Sequence, residues 1–515
     1  MKKIMLCACL YLSTFLLYGQ DVPDVFIQVP NTDISEFDSD VLGQKLPMDQ
    51  PIYKTDFKAV GSENGVQTLT YRIETSSGEG IVVFFDKLKM GNGTQIRAYS
   101  MDNESSTRYF KQNNNTLTES FALPYIRGNN VVVEITCNGQ EALSSLELEI
   151  SEVGVLYSMR GFGDAPSCFA NINCSEGGPW QDQKRAVAKY MTISGTNIGY
   201  CTGSLINNTN EDCKNYFLSA QHCVIESSVS ELGQFVFYFN YEAAGCSSPA
   251  NDNGLDQQTV VGCVKLAESG GSASLPPDRS DFSLLELTTI PSSYNVYYAG
   301  WNRSSVNQIQ GNGTIIQHPQ GDLKKIAFWD ILQTSFTSND HLEINCIAST
   351  NGDGIVEPMS SGSPVYDVDH NIVGNITAGQ SGCISQATVP KAIAGKFEIH
   401  WDQCGTASNR QLKPWLDPTN SGAMILNGRN QCGNIGIIEH SKSYFNIFPN
   451  PTTQYINIVS DENVEVIKLY TIDGKILLKS EIFEDIDVSN LPSGPIIFEV
   501  IFSGGKIAHN IIYKL

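Results

Sequence analysis

Short apolar runs separated by turn-forming residues fill the first third of this chain, and they restrict its fold more than any other feature. Examples of the apolar runs are GIVVFFDKL (80–88), TQIRAYSM (94–101) and NVVVEIT (130–136). Examples of the turn-forming stretches are Gly-Asn-Gly (91–93) and Gly-Asn-Asn (128–130). Runs of this length that alternate apolar and polar residues are typical of β-strands, and glycine with asparagine is typical of turns. The segment 21–160 is therefore predicted to be a β-sandwich.

Composition agrees with a β-rich protein that works outside the cell. Of 515 residues, 17% are charged, and glycine, tyrosine and phenylalanine number 44, 21 and 23. The formal net charge of −22 argues against nucleic acid as a partner, because its phosphates would be repelled. The length suffices for about three domains.

The N-terminal segment 1–20, MKKIMLCACLYLSTFLLYGQ, has the layout of a cleavable secretory signal peptide. Lysines precede an apolar run that ends near Gly19, and this run is too short and wrongly flanked for a membrane-spanning helix. The alternative is a buried N-terminal strand. No later stretch is long and apolar enough to cross a membrane, so we expect an exported, soluble mature protein.

The cysteines indicate disulfides. The chain has 14, and 12 remain once Cys7 and Cys9 of the leader are set aside, an even number that predicts disulfides in an exported protein. All but Cys137 fall between 161 and 433, so either Cys137 pairs with one of them or one thiol is free. A metal site at Cys201, Cys213, His222 and Cys223 is the alternative, but the spacing differs from that of structural zinc sites. We expect neither metal nor cofactor.

A domain boundary is predicted in MRGFGDAPSCFANINC (159–174), where Arg160 precedes a flexible glycine-rich stretch and the cysteines begin to cluster. The segment 21–160 lacks a cluster of catalytic residue types, so it is either a binding module or a pro-domain, and its position favours a pro-domain. The segment 161–433 is predicted to carry the chemistry. Residues 434–515 form a small all-β module, with Asp473-Gly474 as a hairpin turn.

The stretch EPMSSGSPVYD (357–367) raises the question whether one of its serines is a nucleophile. A serine hydroxyl needs a base to take its proton and a third group to orient that base. YFLSAQHCV (216–224) places His222 directly after an apolar strand, and SDFSLLEL (280–287) places Asp281 at the start of a core strand. Each fragment alone is typical of a packed or capping residue. Their joint occurrence in the order His, Asp, Ser predicts a catalytic triad.

These fragments resemble chymotrypsin-fold (trypsin-like) serine proteases, in particular the bacterial lysyl endopeptidases. CTGSLI (201–206), GWNR (300–303), QHPQGDLKKI (317–326) and WLDPTNSGA (415–423) share the resemblance, which covers about 163–428. It implies a double β-barrel in which His222 is the general base, Asp281 its orienting carboxylate and Ser361 the nucleophile. The backbone N–H groups of Met359 and Ser361 would form the oxyanion hole. The implied disulfides are Cys201–Cys223, Cys174–Cys246 and Cys168–Cys383.

The stretch before the nucleophile departs from the trypsin-like pattern. The usual trypsin-like stretch is GDSGGP, and this chain has MSSGSP in its place. Ser360 therefore replaces the aspartate that would pair with a freed amino terminus. Activation by that ion pair is excluded. The lysyl branch shares this serine. Met359 replaces a glycine, and if the position needs a positive φ, methionine there carries a strain of about 1–3 kcal/mol.

The pocket for the substrate side chain also departs from the family. The lysyl branch has a carboxylate nine residues after the cysteine of the SGC segment, and the position nine after Cys383 is Ala392. Thr377, Ala378 and Gly379 are expected to form the edge that pairs with substrate. An uncharged pocket predicts cleavage after apolar or small residues. Lys391 turned inward would instead favour acidic residues, and Glu398 reaching the pocket would restore lysine.

The C-terminal segment resembles a second family. FPNPT (448–452), LYTIDGKIL (469–477), LPSGPIIFEV (491–500) and the basic end resemble the type A sorting domain of the type IX secretion system, a small Ig-like β-sandwich. This resemblance implies a Gram-negative cell, the secretion machinery as a partner, and a final location outside the cell or on its outer surface. The alternative is an Ig-like or carbohydrate-binding appendage.

The sequence therefore predicts a secreted serine endopeptidase made as a pro-enzyme, which hydrolyses protein substrates through an acyl-enzyme. A monomer is expected. The alternative is a catalytically inactive adhesin or binding protein on the same fold, which only Met359 favours. A thiol enzyme is disfavoured, because no cysteine occupies the position of the nucleophile.

Overall fold

The computed structural model describes residues 24–30, 41–63, 65–103, 105–157, 161–271, 279–309, 311–335, 338–387, 390–432, 445–450, 452–460, 463–471, 475–483, 485–502 and 507–515. The leader 1–20, Arg160 and the Asp473-Gly474 turn lie outside these ranges. The chain forms two compact units, Met1–Cys432 and Gly433–Leu515. The boundary predicted near residue 160 thus lies inside the first unit.

The N-terminal part of the first unit consists of two sheets of mainly antiparallel strands. The elements are β1 (Val25–Ile27), β2 (Gly43–Tyr53), a 3-10 turn (Lys54–Asp56), β3 (Lys58–Glu63), β4 (Val66–Thr75), β5 (Gly80–Phe85), β6 (Lys87–Lys89), β7 (Thr94–Ser100), β8 (Phe110–Lys111), a 3-10 turn (Gln112–Asn114), β9 (Phe121–Arg127), β10 (Asn130–Asn138), α1 (Gly139–Ser145) and β11 (Glu147–Leu156). One sheet has the order β1-β4-β10-β7-β8, and the other contains β2-β11-β5-β9. Strands β5, β7 and β10 are the apolar runs from which the sequence predicted them.

The next part of the first unit is a row of antiparallel strands around an aromatic core. The elements are β12 (Ala170–Asn171), 3-10 turns (Ser175–Trp180, Gln183–Arg185), β13 (Val187–Ser194), β14 (Asn197–Leu205), β15 (Tyr216–Ser219), a 3-10 turn (Gln221–Cys223), α2 (Val229–Leu232), β16 (Val236–Phe239), β17 (Thr259–Val261), β18 (Cys263–Glu268) and β19 (Ser283–Leu287). The order is β17-β16-β13-β14-β15-β19-β18. Tyr190 and Phe217 pack on Phe237 with ring centroids 5.2 and 5.1 Å away.

Strand β14 also pairs with β2, so the N-terminal sheet and this row form one continuous sheet. The paired residues are Asn197 with Gln44 and Ile198 with Gly43. The segment before the predicted boundary is therefore bonded to the segment after it through backbone hydrogen bonds, which the sequence did not predict.

The last part of the first unit is a closed barrel. The elements are a 3-10 turn (Ser292–Tyr294), β20 (Tyr297–Tyr298), β21 (Gly300–Asn302), a 3-10 turn (Val306–Gln308), β22 (Gly313–Gln317), a 3-10 turn (Pro319–Gly321), β23 (Lys325–Thr334), β24 (His341–Ile347), β25 (Pro364–Tyr366), β26 (Asn371–Gly379), a 3-10 turn (Ile384–Gln386), β27 (Lys391–Lys396), α3 (Phe397–Asp402), a 3-10 turn (Ser408–Arg410), α4 (Lys413–Leu416), β28 (Ile425–Leu426) and β29 (Arg429–Asn430). The ring runs β22-β23-β24-β27-β26-β25 and returns to β22. Ile315, Trp329 and Ile344 lie in its core. The predicted all-β fold class is confirmed.

Disulfides join four pairs of cysteines: Cys168–Cys383, Cys174–Cys246, Cys201–Cys223 and Cys213–Cys432. The first three are the pairs that the resemblance implied, and the sequence left the fourth open. Cys137, Cys263, Cys346 and Cys404 are free thiols. The inference that the even count reflects disulfides is wrong for these four. Three of them are fully buried, so they serve as small apolar side chains.

The second unit is a small β-structure. Its strands are β30 (Phe445–Phe448), β31 (Tyr455–Ser460), β32 (Val464–Tyr470), β33 (Ile476–Ser480), β34 (Ile486–Asp487), β35 (Gly494–Phe502) and β36 (Ile507–Lys514). They form the sheets β30-β31-β34 and β33-β32-β35-β36. Strands β32 and β33 pair antiparallel, as the predicted hairpin requires. Across all the ranges described above, no helix is long and apolar enough to span a membrane.

Candidate active site

His222 lies in the 3-10 turn Gln221–Cys223, immediately after β15. The disulfide Cys201–Cys223 anchors this turn to β14, so the backbone next to the histidine is covalently tied to the sheet. The His222 side chain is 14% exposed. The imidazole is therefore held at the edge of the row of strands, where it is partly exposed.

Asp281 meets His222 because β15 and β19 are antiparallel neighbours. The end of one strand and the start of the other lie at the same edge, and Asp281 precedes β19. Its Oδ2 lies 2.8 Å from His222 Nδ1, and its Oδ1 accepts from the His222 backbone N–H at 3.0 Å. The Asp281 side chain is 0% exposed, so the carboxylate fixes the ring through two contacts and without competition from water.

Asp281 is itself positioned by buried groups that the sequence did not single out. The Asn375 side chain donates to the Asp281 carbonyl at 3.0 Å, and His400 Nε2 donates to the carbonyl of Ser280 at 3.0 Å. Burial lowers the pKa of His400 to about 3, so the ring is neutral and can donate. Asp281 has a φ of 60°, which these contacts help to hold. The dipeptide HW in FEIHW was the only sequence signal for His400.

Ser361 lies in the loop between β24 and β25, and the loop packs against the His222 turn. The Ser361 carbonyl accepts from the Thr202 N–H at 2.9 Å. Gly362 has a φ of 85°, and a Cβ there would lie 2.1 Å from Ser219 Oγ and 2.8 Å from Ala220 N. Only glycine fits this close approach. The loop thus brings Ser361 beside the strand end that carries His222.

Met359 has a φ of 73° and is therefore in the left-handed conformation. This is the positive φ at which the sequence analysis expected methionine to be strained. Its side chain is buried at 2% exposure, and its carbonyl accepts from Thr202 Oγ1 at 2.8 Å. A methionine held in this region carries about 1–3 kcal/mol of strain. Because methionine keeps its backbone N–H, a donor remains at the position where the sequence predicts the oxyanion hole.

Ser360 and Ser363 are buried in the turn around Ser361. Ser360 is 1% exposed and its hydroxyl accepts from the Glu357 N–H at 3.4 Å, while Ser363 is 0% exposed. Ser360 therefore turns back into its own loop, and of the serines in this stretch Ser361 is the more exposed.

The expected substrate edge and pocket residues lie on two neighbouring strands. Thr377, Ala378 and Gly379 end β26, and Gly379 pairs with Ala392 at the start of β27. A Cβ at Gly379 would lie 2.5 Å from Val356 Cγ2 and 3.1 Å from Ala392 Cα. Ala392 is 0% exposed and belongs to the apolar core that includes Ile355 and Val356. The surroundings of Ala392 are therefore apolar.

The two charged alternatives for the pocket have partners elsewhere. Lys391 is adjacent to Ala392 on β27, so its side chain points to the opposite face of the sheet. Its Nζ contacts Glu343, which also accepts from Gln333. Glu398 lies in the first turn of α3, and its Oε1 is 3.9 Å from Lys396 Nζ.

Glu357 is a carboxylate near the expected pocket residues that the sequence reasoning passed over. It follows Val356, which bridges Ser381 in the neighbouring loop, and it is half-buried. Its carboxylate accepts from Gln320 Nε2 at 2.9 Å. Burial raises the pKa of Glu357, and the contacts from Gln320 and the Gly382 N–H oppose this rise. Its position four residues before Ser361 was the available signal.

Comparison with known proteins gives matches over both units. Residues 162–392 match the family Lysyl endopeptidase, C-terminal domain, and residues 446–514 match the family Secretion system C-terminal sorting domain. The lysyl endopeptidase of Pseudomonas aeruginosa is 26% identical over 279 residues, which are 50% of this chain and 57% of that protein. This chain therefore spans little more than half the length of that curated relative.

Solved structures of proteases are also similar. The protease Anisep from Arthrobacter nicotinovorans matches 42% of this chain and 91% of its own, at 13% identity and a TM-score of 0.29. The thermostable serine protease AL20 from an extremophilic microorganism matches 41% of this chain and 91% of its own, at 12% identity and a TM-score of 0.28. By these family matches the chain is similar to lysyl endopeptidases over residues 162–392 and to secretion system C-terminal sorting domains over residues 446–514.

Proposed function

We propose that this protein is a secreted serine endopeptidase, made as a pro-enzyme, that cleaves peptide bonds with Ser361, His222 and Asp281. The observation that carries the proposal is the 2.8 Å contact between His222 Nδ1 and the fully buried carboxylate of Asp281. A histidine oriented in this way presents Nε2 as a base, which is what a serine nucleophile requires.

The reaction follows from these roles. Ser361 Oγ attacks the scissile carbonyl carbon while His222 Nε2 takes the hydroxyl proton, and Asp281 stabilises the imidazolium that forms. The proton then passes to the leaving amine, the C–N bond breaks, and an acyl-enzyme remains on Ser361. A water molecule, deprotonated by the same histidine, attacks the ester and releases the acid product.

Charge develops on the carbonyl oxygen during both attacks, and the backbone N–H groups of Met359 and Ser361 are the donors in our proposal. Preorganised donors of this kind lower the barrier because they need no reorganisation as the charge forms. The left-handed backbone at Met359 and at Gly362 gives the loop its tight shape.

We propose three parts after the signal peptide 1–20: a pro-domain at 21–160, the protease domain at 161–433 and the sorting domain at 434–515. The match of 446–514 to a sorting domain supports export by the type IX secretion machinery of a Gram-negative bacterium, with release or surface attachment at the end. Protein or peptide substrates are the partners of the catalytic part, and we propose a monomer.

The test is labelling of Ser361 by a fluorophosphonate, followed by peptide mapping of the adduct. Wild type should be labelled, and Ser361→Ala should abolish both labelling and peptide hydrolysis, with turnover lower by about 10⁶. Ser360→Ala and Ser363→Ala are matched controls in the same turn, and both should keep most activity. A folded wild type that is neither labelled nor active would support the inactive adhesin instead.

A further inference from the structure

Lys189 is a buried lysine that the proposed reaction does not use. It lies on β13, is 1% exposed, and its Nζ donates to the Gly321 carbonyl at 3.0 Å. Its ammonium also lies 3.7 Å from the Tyr241 ring centroid and 4.7 Å from that of Tyr200. Burial of an ammonium is costly unless hydrogen bonds and aromatic faces compensate it. The lysine therefore fixes the carbonyl and the rings around it.

Lys189 also lines a cavity of about 300 Å³ at the junction of the first unit's parts. Gly161 and Phe162, Arg127 and Asp252 share this cavity. Burial lowers the pKa of Lys189 to about 8, while the carboxylates of Asp252, Asp256 and Asp322 favour its charged form. The ammonium thus keeps its charge at neutral pH without a direct ion pair among the contacts described.

The carbonyl that Lys189 holds belongs to the turn under the oxyanion loop. Gln320 donates its N–H to the Pro358 carbonyl at 2.8 Å and its side chain to Glu357 at 2.9 Å. A Cβ at Gly321 would lie 3.2 Å from Met359 Sδ and 2.9 Å from Tyr200 Cδ2. The turn therefore contacts the loop through its backbone, and Gly321 lies close to both the Met359 side chain and the Tyr200 ring.

We propose that Lys189 is a positioning residue for the oxyanion loop, acting through Gly321 to hold Met359 in its left-handed conformation. The proposal rests on the proposed function. A non-glycine residue at a φ of 73° persists only where its surroundings over-determine it. The Thr202 contact fixes the Met359 carbonyl, and Gly321, whose carbonyl Lys189 holds, lies against the Met359 side chain. A glycine at position 359 would adopt the same φ without that support.

The experiment is a double-mutant cycle between positions 189 and 359, in enzyme produced from the full chain. Lys189→Met should lower kcat on a peptide substrate by about tenfold, because misplaced oxyanion donors affect the transition state, and should leave KM within about twofold. Met359→Gly supplies the second background, and its own kcat is the reference for the double variant. In the Met359→Gly background, Lys189→Met should lower kcat by less than about threefold, because glycine adopts the left-handed conformation without support from its surroundings.

Lys324→Met is the matched control. Lys324 is 0% exposed and its Nζ contacts the Lys184 carbonyl and Glu242 instead of Gly321. It should affect kcat equally in the wild-type and the Met359→Gly backgrounds. Lys189→Gln keeps an N–H donor without the charge and serves in the same cycle if Lys189→Met does not fold.

All rates are normalised to the fraction of enzyme that a fluorophosphonate titrates. Equal losses in both backgrounds, or no loss in either, would overturn the role of Lys189 while leaving the protease proposal intact. Absence of labelling and activity in the folded wild type would be a failure of the proposed function itself.

Discussion

Replacing Arg127 should weaken the attachment of the proposed pro-domain to the proposed protease domain. Arg127 ends β9, and its Nη2 lies 2.6 Å from both carboxylate oxygens of Asp252. Asp252 is 3% exposed and also accepts from the Tyr241 hydroxyl at 2.7 Å. Arg127→Ala leaves this carboxylate buried with the tyrosine as its remaining direct contact. Removal of one partner from a buried ion pair costs about 3–5 kcal/mol.

The lower end of that range applies here. The Arg127 side chain is 25% exposed, so water can reach the site once the guanidinium is gone, and we expect a loss of about 3 kcal/mol. The measurement is guanidinium-induced unfolding of the unprocessed chain in a Ser361→Ala background, which prevents self-cleavage. Asp252→Asn alone should lower the free energy of unfolding by less than Arg127→Ala does. The double variant should show a coupling energy between the two positions above about 1 kcal/mol.

Arg97→Ala is the control for this prediction. Arg97 and Glu134 form a 2.8 Å ion pair within one sheet, with side chains 31% and 15% exposed. An ion pair that water screens contributes less than about 1 kcal/mol to the free energy of unfolding. Similar losses for Arg97→Ala and Arg127→Ala, or additive effects at 127 and 252, would refute the reasoning from burial.

Three further predictions concern processing, pH and thiols. N-terminal sequencing of secreted material should find a chain that starts between Gly161 and Gly163. Persistence of the pro-segment in the His222→Ala variant would indicate self-processing. A mature chain that starts near Asp21 would contradict the pro-domain. The pKa of His400 is lowered to about 3, below the value of about 6.5 in an unfolded chain. The unfolded state therefore binds more protons between these values, so stability is lost as pH falls from about 6.5 towards 3, and His400→Gln should flatten this part of the stability profile. Cys346 is 1% exposed, so it should react with a thiol reagent only after unfolding, and fast labelling in the native state would contradict its burial.

The strands and the contact between His222 and Asp281 were predictable because their signals are local. His222 follows an apolar run and Asp281 precedes another, and antiparallel pairing of those runs as β15 and β19 brings the two residues together. The turn around Ser361 has its own signal in Gly362, whose positive φ only glycine adopts easily. In each case a few neighbouring residues determine the geometry.

The supports of the site were not predictable, because they depend on residues distant in sequence. His400 reaches Ser280, and Lys189 reaches Gly321, across separations of 120 and 132 residues. A buried lysine also contradicts the usual solvation of lysine. The free thiols were missed for a related reason: an even count suggests pairing, but it does not say which side chains lie in different parts of the core.

Specificity is the property in which we expect this chain to depart furthest from the lysyl endopeptidases that it resembles. Ala392 is 0% exposed, Val356 reaches towards Gly379, and Lys391 is held by Glu343 on the other face of β27. We therefore expect cleavage after apolar or small residues, measured as kcat/KM on peptides that differ only at that position. Ala392→Asp should raise the rate after lysine by about tenfold or more, because a carboxylate there compensates a buried ammonium. If wild type cleaves strictly after lysine, the expectation is wrong, and Glu357→Gln compared with Glu398→Gln would identify which carboxylate supplies the charge. Glu357 is the stronger candidate, because its half-buried carboxylate lies beside the Val356–Ser381 bridge, whereas Glu398 lies on α3 near Lys396.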